Sequence, residues 1–524
     1  MEPLQKRTST SKDEQIHIND LPDHLVHNIL KFLTTEDVSR LSVVSRRCRN
    51  LCISVPSIVI DLADMKRTLG KRAEYFNFMD RFMMNRNGLK LASFKLDWEF
   101  SKTDHRLYLY NEDYRVDSWL NQVSKSNVET LDLQIRFREL NYYKTFVLPY
   151  GFTNCESLNR LKITLHNGIL VLPISNSFDF LQHLIIENAI IQENIIKEVL
   201  LGCKTLFRFS ISHIKGIEFL DIESSTLVIL EIFSAIEDLN PSPISKINIS
   251  ACRLKMLYLY WISLGRKKLV IFAPEVVFLK LEGDLQYYDS LRDIRFEKLH
   301  ATSVFSQTNP SMLIDNGGGD SGQPRCNDEI FQSLREARLM SVNMGFIKVL
   351  SAEIFLAISF ENLETLHLHV SPDSDGYDVP MVVYFLTESC PNLQSLVLQS
   401  YFESAVPVNA NQSNSTIEES TNYIDTIATN NLNLPIENLK SVEIELRVGN
   451  SHSGLKLVKQ LLKQAKTLEK ITVYYFPVVY RKVQEIISSV QQFERASPTV
   501  SVYVLPRSYK LYSKDKRLFF SPLV

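Results

Sequence analysis

Apolar residues recur along this chain at two spacings, and each spacing predicts a different element. Near the N-terminus they fall three and four apart. Leu25 and Val26, Ile29 and Leu30, then Leu33 make one stripe behind Pro22. Proline suits the first turn of a helix, where the N–H it lacks has no partner anyway. Val38, Leu41, Val44 and Cys48 predict the apolar side of a second helix, with Thr34 and Asp37 spaced as a capping box at its start. Two helices this short bury little surface alone and need a neighbour. Val55 to Asp61 then reads as a strand, and residues 70–86 as a helix with Phe76, Phe78, Met79, Phe82 and Met83 on its apolar side.

Further along, the spacing becomes apolar-x-x-apolar-x-apolar. A dozen copies run from Leu91/Phe94/Leu96 and Val128/Leu131/Leu133 through Leu254/Leu257/Leu259 to Leu468/Ile471/Val473, with a weaker one at Leu339/Val342/Met344. The last two apolar residues of each copy lie two apart, so both point to one side of a strand. One copy cannot bury that side. Stacked copies can, as a parallel sheet over a continuous Leu/Ile core. Between Leu181 and Val276 the copies are about 21 to 27 residues apart, inside the range of leucine-rich repeats. The fold class expected is therefore α/β: a small helical domain, then an irregular leucine-rich-repeat solenoid with a curved parallel sheet. The Asn that commonly follows such strands is mostly missing, which predicts irregular repeats with helical or extended returns.

The expected boundaries are a disordered tail at 1–14, the helical domain at 15–55, the solenoid at 56–435 and a C-terminal module at 436–524. Residues 303–329, with three successive glycines, and 404–430, rich in Ser, Thr and Asn, read as mobile insertions. The C-terminal part reads as strand, amphipathic helix and strand between Leu439 and Val473.

Composition narrows the class. The 524 residues are 45% hydrophobic and 23% charged, with a formal net charge of −2. That is the balance of a folded soluble protein and gives no electrostatic footprint for nucleic acid or a membrane surface. The seven cysteines are odd in number and scattered, which predicts reduced, mostly buried thiols rather than a disulfide framework. The N-terminus lacks the apolar core of a signal peptide, and no run of eighteen apolar residues occurs. The expectation is an intracellular protein, cytoplasmic or nuclear.

Catalytic chemistry finds no foothold. There is no nucleophile elbow, no zincin motif, and no Gly-Lys-Ser/Thr after the triple glycine. No cofactor is expected. Cys48 and Cys52, four apart, lack further ligands nearby, and His367 and His369 share one strand face without a third ligand in view. The repeat pattern itself points to a binding surface. Residues between the template positions face the concave side, and Phe233, Met256, Tyr258, Tyr260 and Phe278 place four aromatics and a methionine there on successive repeats. They are the candidates for substrate contact.

Leu21-Pro22, the pairs Leu25/Val26 and Ile29/Leu30, Leu33, Asp37-Val38 and Val44-Ser45-Arg46 together resemble an F-box. Many members of that family carry Trp where this chain has Cys48. The stretch Glu437 to Val473, with Phe493 to Val502, resembles the FBD module that ends many plant F-box proteins with leucine-rich repeats. The resemblance implies a non-catalytic subunit of an SCF-type ubiquitin ligase. It implies an F-box that docks a Skp-type adaptor and through it cullin and RING subunits, and repeats that hold a protein substrate. Carried over, the adaptor contacts are Leu21, Pro22, Leu25, Ile29, Leu30, Leu33, Val38, Leu41 and Val44. Some of these must hold the hairpin to its own repeats instead. Two alternatives remain: an interaction scaffold no longer coupled to a ligase, and a small-molecule co-receptor. The latter calls for convergent cations, and Arg160, Lys162, Arg208, Lys280 and Lys470 are the strand positions that offer them.

Overall fold

The repeats stack through their backbone. In most coils one carbonyl, on the residue just before the strand, accepts two N–H groups from the following coil. The Pro56 carbonyl takes Ala92 and Ser93, that of Ala92 takes Glu129 and Thr130, and that of Glu129 takes Asn159 and Arg160. The computed structural model that shows this describes residues 18–33, 35–61, 72–86, 88–100, 112–137, 144–173, 178–234, 244–261, 267–283, 288–289, 296–306, 332–351, 358–370, 378–400, 435–446, 451–475 and 483–506. The tail 1–14, the insertion 404–430, residues 307–329 and Thr34 lie outside them. The chain divides into two compact units, Met1–Phe209 and Ser210–Val524.

The first unit opens with three helices: α1 (Asp23–Leu30), α2 (Thr35–Ser42) and α3 (Arg46–Ile53). The single second helix expected from Val38 to Cys48 is broken. Ser45 stands in extended backbone and its hydroxyl accepts the Cys48 N–H at 3.0 Å, a new N-cap inside the apolar stripe. Strand β1 (Ser57–Asp61) follows, then the helix Arg72–Arg86, β2 (Ser93–Phe100), the helix Glu112–Ser124, β3 (Thr130–Phe137), β4 (Lys144–Val147), β5 (Arg160–Val171) and β6 (His183–Ile190). β1, β2, β3, β5 and β6 pair in parallel in that order, and β4 pairs with the far half of β5. The core is Leu and Ile, joined by an aromatic block. Phe76, Trp98 and Trp119 are fully buried with ring centroids 5.3 to 6.0 Å apart, and Trp119 Nε1 donates to Asp80 at 2.7 Å. β1 is itself a template copy, with Val55, Ile58 and Ile60 buried.

β7 (Arg208–Ser212) carries the division between the units. Within the second unit, the residues from β8 (Phe219–Glu223) to β14 (Tyr288–Asp289) build two parallel sheets rather than a sheet backed by helices. β8, β10 (Lys246–Ser250), β12 (Lys267–Phe272) and β14 form one. β9 (Ile229–Ser234), β11 (Met256–Trp261), β13 (Phe278–Gly283) and β15 (Ala301–Ser306) form the other. Leu220, Ile222, Ile247, Ile249, Leu269 and Ile271 fill the space from one side, Leu230, Ile232, Leu257, Leu259, Leu279 and Leu281 from the other. The second sheet then continues through β16 (Leu339–Asn343), β17 (Thr365–Val370), β18 (Ser395–Ser400), β19 (Ser441–Leu446), β20 (Lys470–Tyr475) and β21 (Ser501–Pro506). Helices Met344–Ser351, Val379–Tyr384, Ser451–Gln464 and Val483–Gln492 lie between those strands in sequence.

Two sequence expectations change here. The insertion at 303–329 begins too early, because Ser303 to Ser306 belong to β15. That copy escaped notice because a Thr, fully buried Thr302, occupies a core position. The weak copy at Leu339/Val342/Met344 is out of register. Ala337, Met340 and Val342 are the residues fully buried in the core, and small Ala337 hid the frame.

The repeat is also longer than its template. Three residues before the first template Leu sits a buried residue whose carbonyl closes a turn onto the Leu N–H. Cys155, Cys203, Phe360 and Cys390 hold that place. One residue before the Leu, a short polar side chain donates back to the preceding coil. Ser157 reaches the Val128 carbonyl at 2.9 Å, Thr205 that of Asp179 at 2.7 Å, Asn392 that of Glu361 at 2.9 Å and Asn438 that of Pro391 at 2.9 Å. No helix among the described residues is long and apolar enough to cross a membrane.

Candidate adaptor and partner surfaces

The three N-terminal helices fold as a clamp. Arg47, at the start of α3, donates to the Leu21 carbonyl at 2.5 Å and to Asp23 at 2.7 Å, tying α3 to the start of α1. His27 on α1 meets Ser54 Oγ at 3.1 Å beyond the end of α3. One side of the clamp packs on the first repeat. Val26, Leu30, Val38, Leu51 and Cys52 are buried. Leu33 and Val38 close onto Val55, Ile58 and Phe82, and the Thr35 hydroxyl donates to the Val59 carbonyl of β1. Below this contact Arg86 is 2% exposed. Its guanidinium donates to the carbonyls of Ile53 at 2.6 Å, Val55 at 2.7 Å, Lys90 at 3.2 Å and Leu89 at 3.4 Å. Burial lowers its pKa to about 10, so it stays charged at neutral pH.

The other side of the clamp is apolar and open. Phe32 is 90% exposed, Val43 77%, Val44 66%, Ile29 42% and Leu25 41%. The nine positions carried over from the resemblance therefore separate. Pro22, Leu25, Ile29 and Val44 are exposed, and Leu21, Leu33 and Leu41 are half-buried. Leu30 and Val38 are corrected: at 1% and 3% exposure they hold the clamp to its own chain and cannot touch an adaptor. Phe32 and Val43 were missed. Each is an apolar residue next to a helix end and off the helical stripe, so only the turn geometry shows them. Cys48 is buried at 3%, so the small residue in the place of the family's Trp lies inside the clamp. Burial and the neighbouring Cys48 raise the Cys52 pKa to about 11, leaving a protonated thiol at neutral pH.

In the second unit the strand face opposite the core carries the aromatic candidates in register. Phe233 lies beside Tyr260, and Met256 beside Phe278. Ring centroids are 6.2 Å apart for Phe233–Tyr260 and 5.3 Å for Tyr258–Phe278. Phe233, Met256, Tyr258 and Tyr260 are half-buried. Phe278, 6% exposed, is a support beneath Tyr258 rather than a contact residue, a correction to its sequence assignment. The same face continues into Lys280, which pairs with Glu282 at 2.9 Å and lies 5.8 Å from the Phe305 ring. Phe305 packs edge-on to His369 at 5.2 Å, and His369 Nε2 meets Ser341 Oγ at 2.8 Å. Burial, then His367 and Lys280, bring the His369 pKa down to about 3, and burial lowers that of His367. His369 is set in hydrogen bonds as a neutral imidazole, and among the described residues no three His, Cys, Asp or Glu side chains are grouped to hold a metal ion. Of the strand cations, Lys162 is taken by Glu187 at 2.9 Å and Lys280 by Glu282.

Comparison with known proteins fits this layout. The F-box domain family model matches residues 18–59, and the model described as FBD-associated F-box protein At5g56370, LRR repeats, matches residues 116–279. The chain carries an F-box followed by leucine-rich repeats of the FBD-associated F-box type. Its relatives include FBD-associated F-box protein At5g18780 of Arabidopsis thaliana, 24% identical over 90% of this chain and 92% of the relative. F-box/FBD/LRR-repeat protein At1g78750 of the same plant is 25% identical over 93% and 96%, and F-box/LRR-repeat protein 13 is 24% identical over 94% and 97%. The clamp is thus the F-box, and its buried side is where the F-box seats on the leucine-rich repeats.

Proposed function

We propose that this F-box protein is a substrate-recognition subunit of an SCF-type ubiquitin ligase. Its F-box docks a Skp-type adaptor, which brings cullin and RING subunits, and its repeats hold a protein substrate. The chain performs no chemistry itself. It raises the concentration of substrate lysines near the charged ubiquitin carrier. The observation that carries this reading is the open apolar side of the F-box, Leu25, Ile29, Phe32, Val43 and Val44, on a module whose other side is already used. Each such side chain contributes about 1.5–3 kcal/mol when a partner covers it. We assign adaptor contact to these five with Leu21, Pro22, Leu33 and Leu41. Substrate contact falls to Phe233, Met256, Tyr258 and Tyr260, and residues 436–524 are read as an FBD-like module completing the repeat sheet.

The test is a pull-down of the purified chain with a Skp-type adaptor. Wild type should be retained. The pair Ile29→Ala/Phe32→Ala should lose at least about tenfold in affinity without a change in thermal unfolding. A folded wild type that fails to bind overturns the reading.

A further inference from the structure

A pocket in the first unit has a chemistry that the docking surfaces do not use. It is a cavity of about 200 Å³ between the helix Glu112–Ser124, the ends of β2 and β3, and β4. One wall is a stacked pair, Phe100 and Phe137, with centroids 5.3 Å apart and planes at 6°. The Phe137 ring lies against Gly168, where a Cβ would come within 2.6 Å of it, so the glycine fixes how far this wall recedes. Buried Val116 and Leu120 also line the cavity. Its rim is charged: Asp113 and Asp117, one helical turn apart and both exposed, and Lys144 of β4.

Lys144 shows what the pocket prefers. Its ammonium donates to both Asp113 carboxylate oxygens, at 2.5 and 2.7 Å, and stands 4.8 Å from the Phe100 ring centroid and 5.8 Å from that of Phe137. A carboxylate on one side and aromatic faces on the other select an alkylammonium. Among the described residues of the rim, two carboxylates face one ammonium, and the Asp117 carboxylate is bonded by the neutral amide of Asn121 at 3.0 Å.

We propose that this pocket binds an alkylammonium group carried on an apolar arm. The ammonium pairs with Asp117 and the arm lies along Phe100 and Phe137. Lys144 acts as an internal competitor for the same aromatic wall. Two sources share this chemistry, a free arylalkylamine and a lysine side chain presented by a partner. The inference does not depend on the ligase reading.

Isothermal titration of the full chain tests it with four probes: phenethylammonium, N-acetyl-lysine methylamide, 2-phenylethanol and 3-phenylpropionate. Phenethylammonium should bind, and the neutral and anionic analogues should bind at least about tenfold more weakly. Asp117→Asn should weaken ammonium binding about tenfold, whereas Lys144→Met should strengthen it by freeing Asp113 and the ring faces. Asp117 is exposed on the helix surface, so its variant leaves the fold intact, checked by an unchanged melting curve. If the lysine amide matches phenethylammonium, the source is a protein side chain. If only phenethylammonium binds, it is a free amine. Equal binding of 2-phenylethanol and phenethylammonium, no binding by either amine, or an unaltered Asp117→Asn overturns the proposal.

Discussion

Arg86 gathers four carbonyls from the end of the F-box and the turn before β2 around one buried guanidinium. Removing it leaves acceptors without donors in a place that water enters poorly, and each costs about 1–3 kcal/mol. Arg86→Leu should therefore destabilise the first unit by about 3 kcal/mol or more, read as a shift in the urea midpoint. Arg86→Lys, keeping the charge but with fewer donors, should fall between the two. His369 gives a pH prediction. Its folded pKa of about 3 lies below the unfolded value near 6.5. Between those values the unfolded chain binds the extra proton, so stability falls as pH drops through that window and is fully present above it. Wild type should lose stability from pH 7 to pH 4.5 more steeply than His369→Gln in denaturant titrations. That the two His share a strand face was legible from their spacing alone. Their surroundings were not, because Phe305, Ser341 and Lys280 come from strands far away in sequence.

At the scale of elements, hydrophobic spacing located most template strands because the leucines at their inward positions are dictated by burial. It failed where burial did not require a large apolar residue. Thr302 and Ala337 fill core places and hid β15 and the frame of β16. The helix break at Ser45 was hidden for a different reason: a hydroxyl cap interrupts the backbone without interrupting the apolar stripe. On the adaptor side, periodicity selected the residues on the stripe, two of which face inward, and passed over Phe32 and Val43, which the turns expose. The returns before β15 became strands of a second sheet, consistent with their alternating apolar positions Ile247/Ile249 and Leu269/Ile271. The polar rungs make a prediction at this scale. Asn392→Ala removes a bond to the Glu361 carbonyl at 2.9 Å and should cost about 1 kcal/mol. Faster amide exchange should then appear around β17 and β18 before it appears elsewhere.

For the whole molecule, each unit is a stack in which every coil is held by the one before it, so stability is close to a sum of neighbour terms. Ending the chain after Leu446 removes β20 and β21 and leaves β19 without its β20 partner. The shortened chain should self-associate on gel filtration, because an uncovered strand edge pairs with whatever strand it meets. The doubled carbonyl contact between successive coils has a further effect. It is made by the main chain, and the residues that supply it include Pro56, Ala92, Glu129, Asn159 and Gln182 in one unit and Val228, Lys255, His300 and Arg338 in the other. The fold therefore asks the main chain, not a particular side chain, for this contact, although some side chains of the row also pair, Glu129 with Lys90 and Arg338 with Glu364. Substitutions along that row leave the main-chain contact between coils in place, so the stack tolerates sequence change there without loosening.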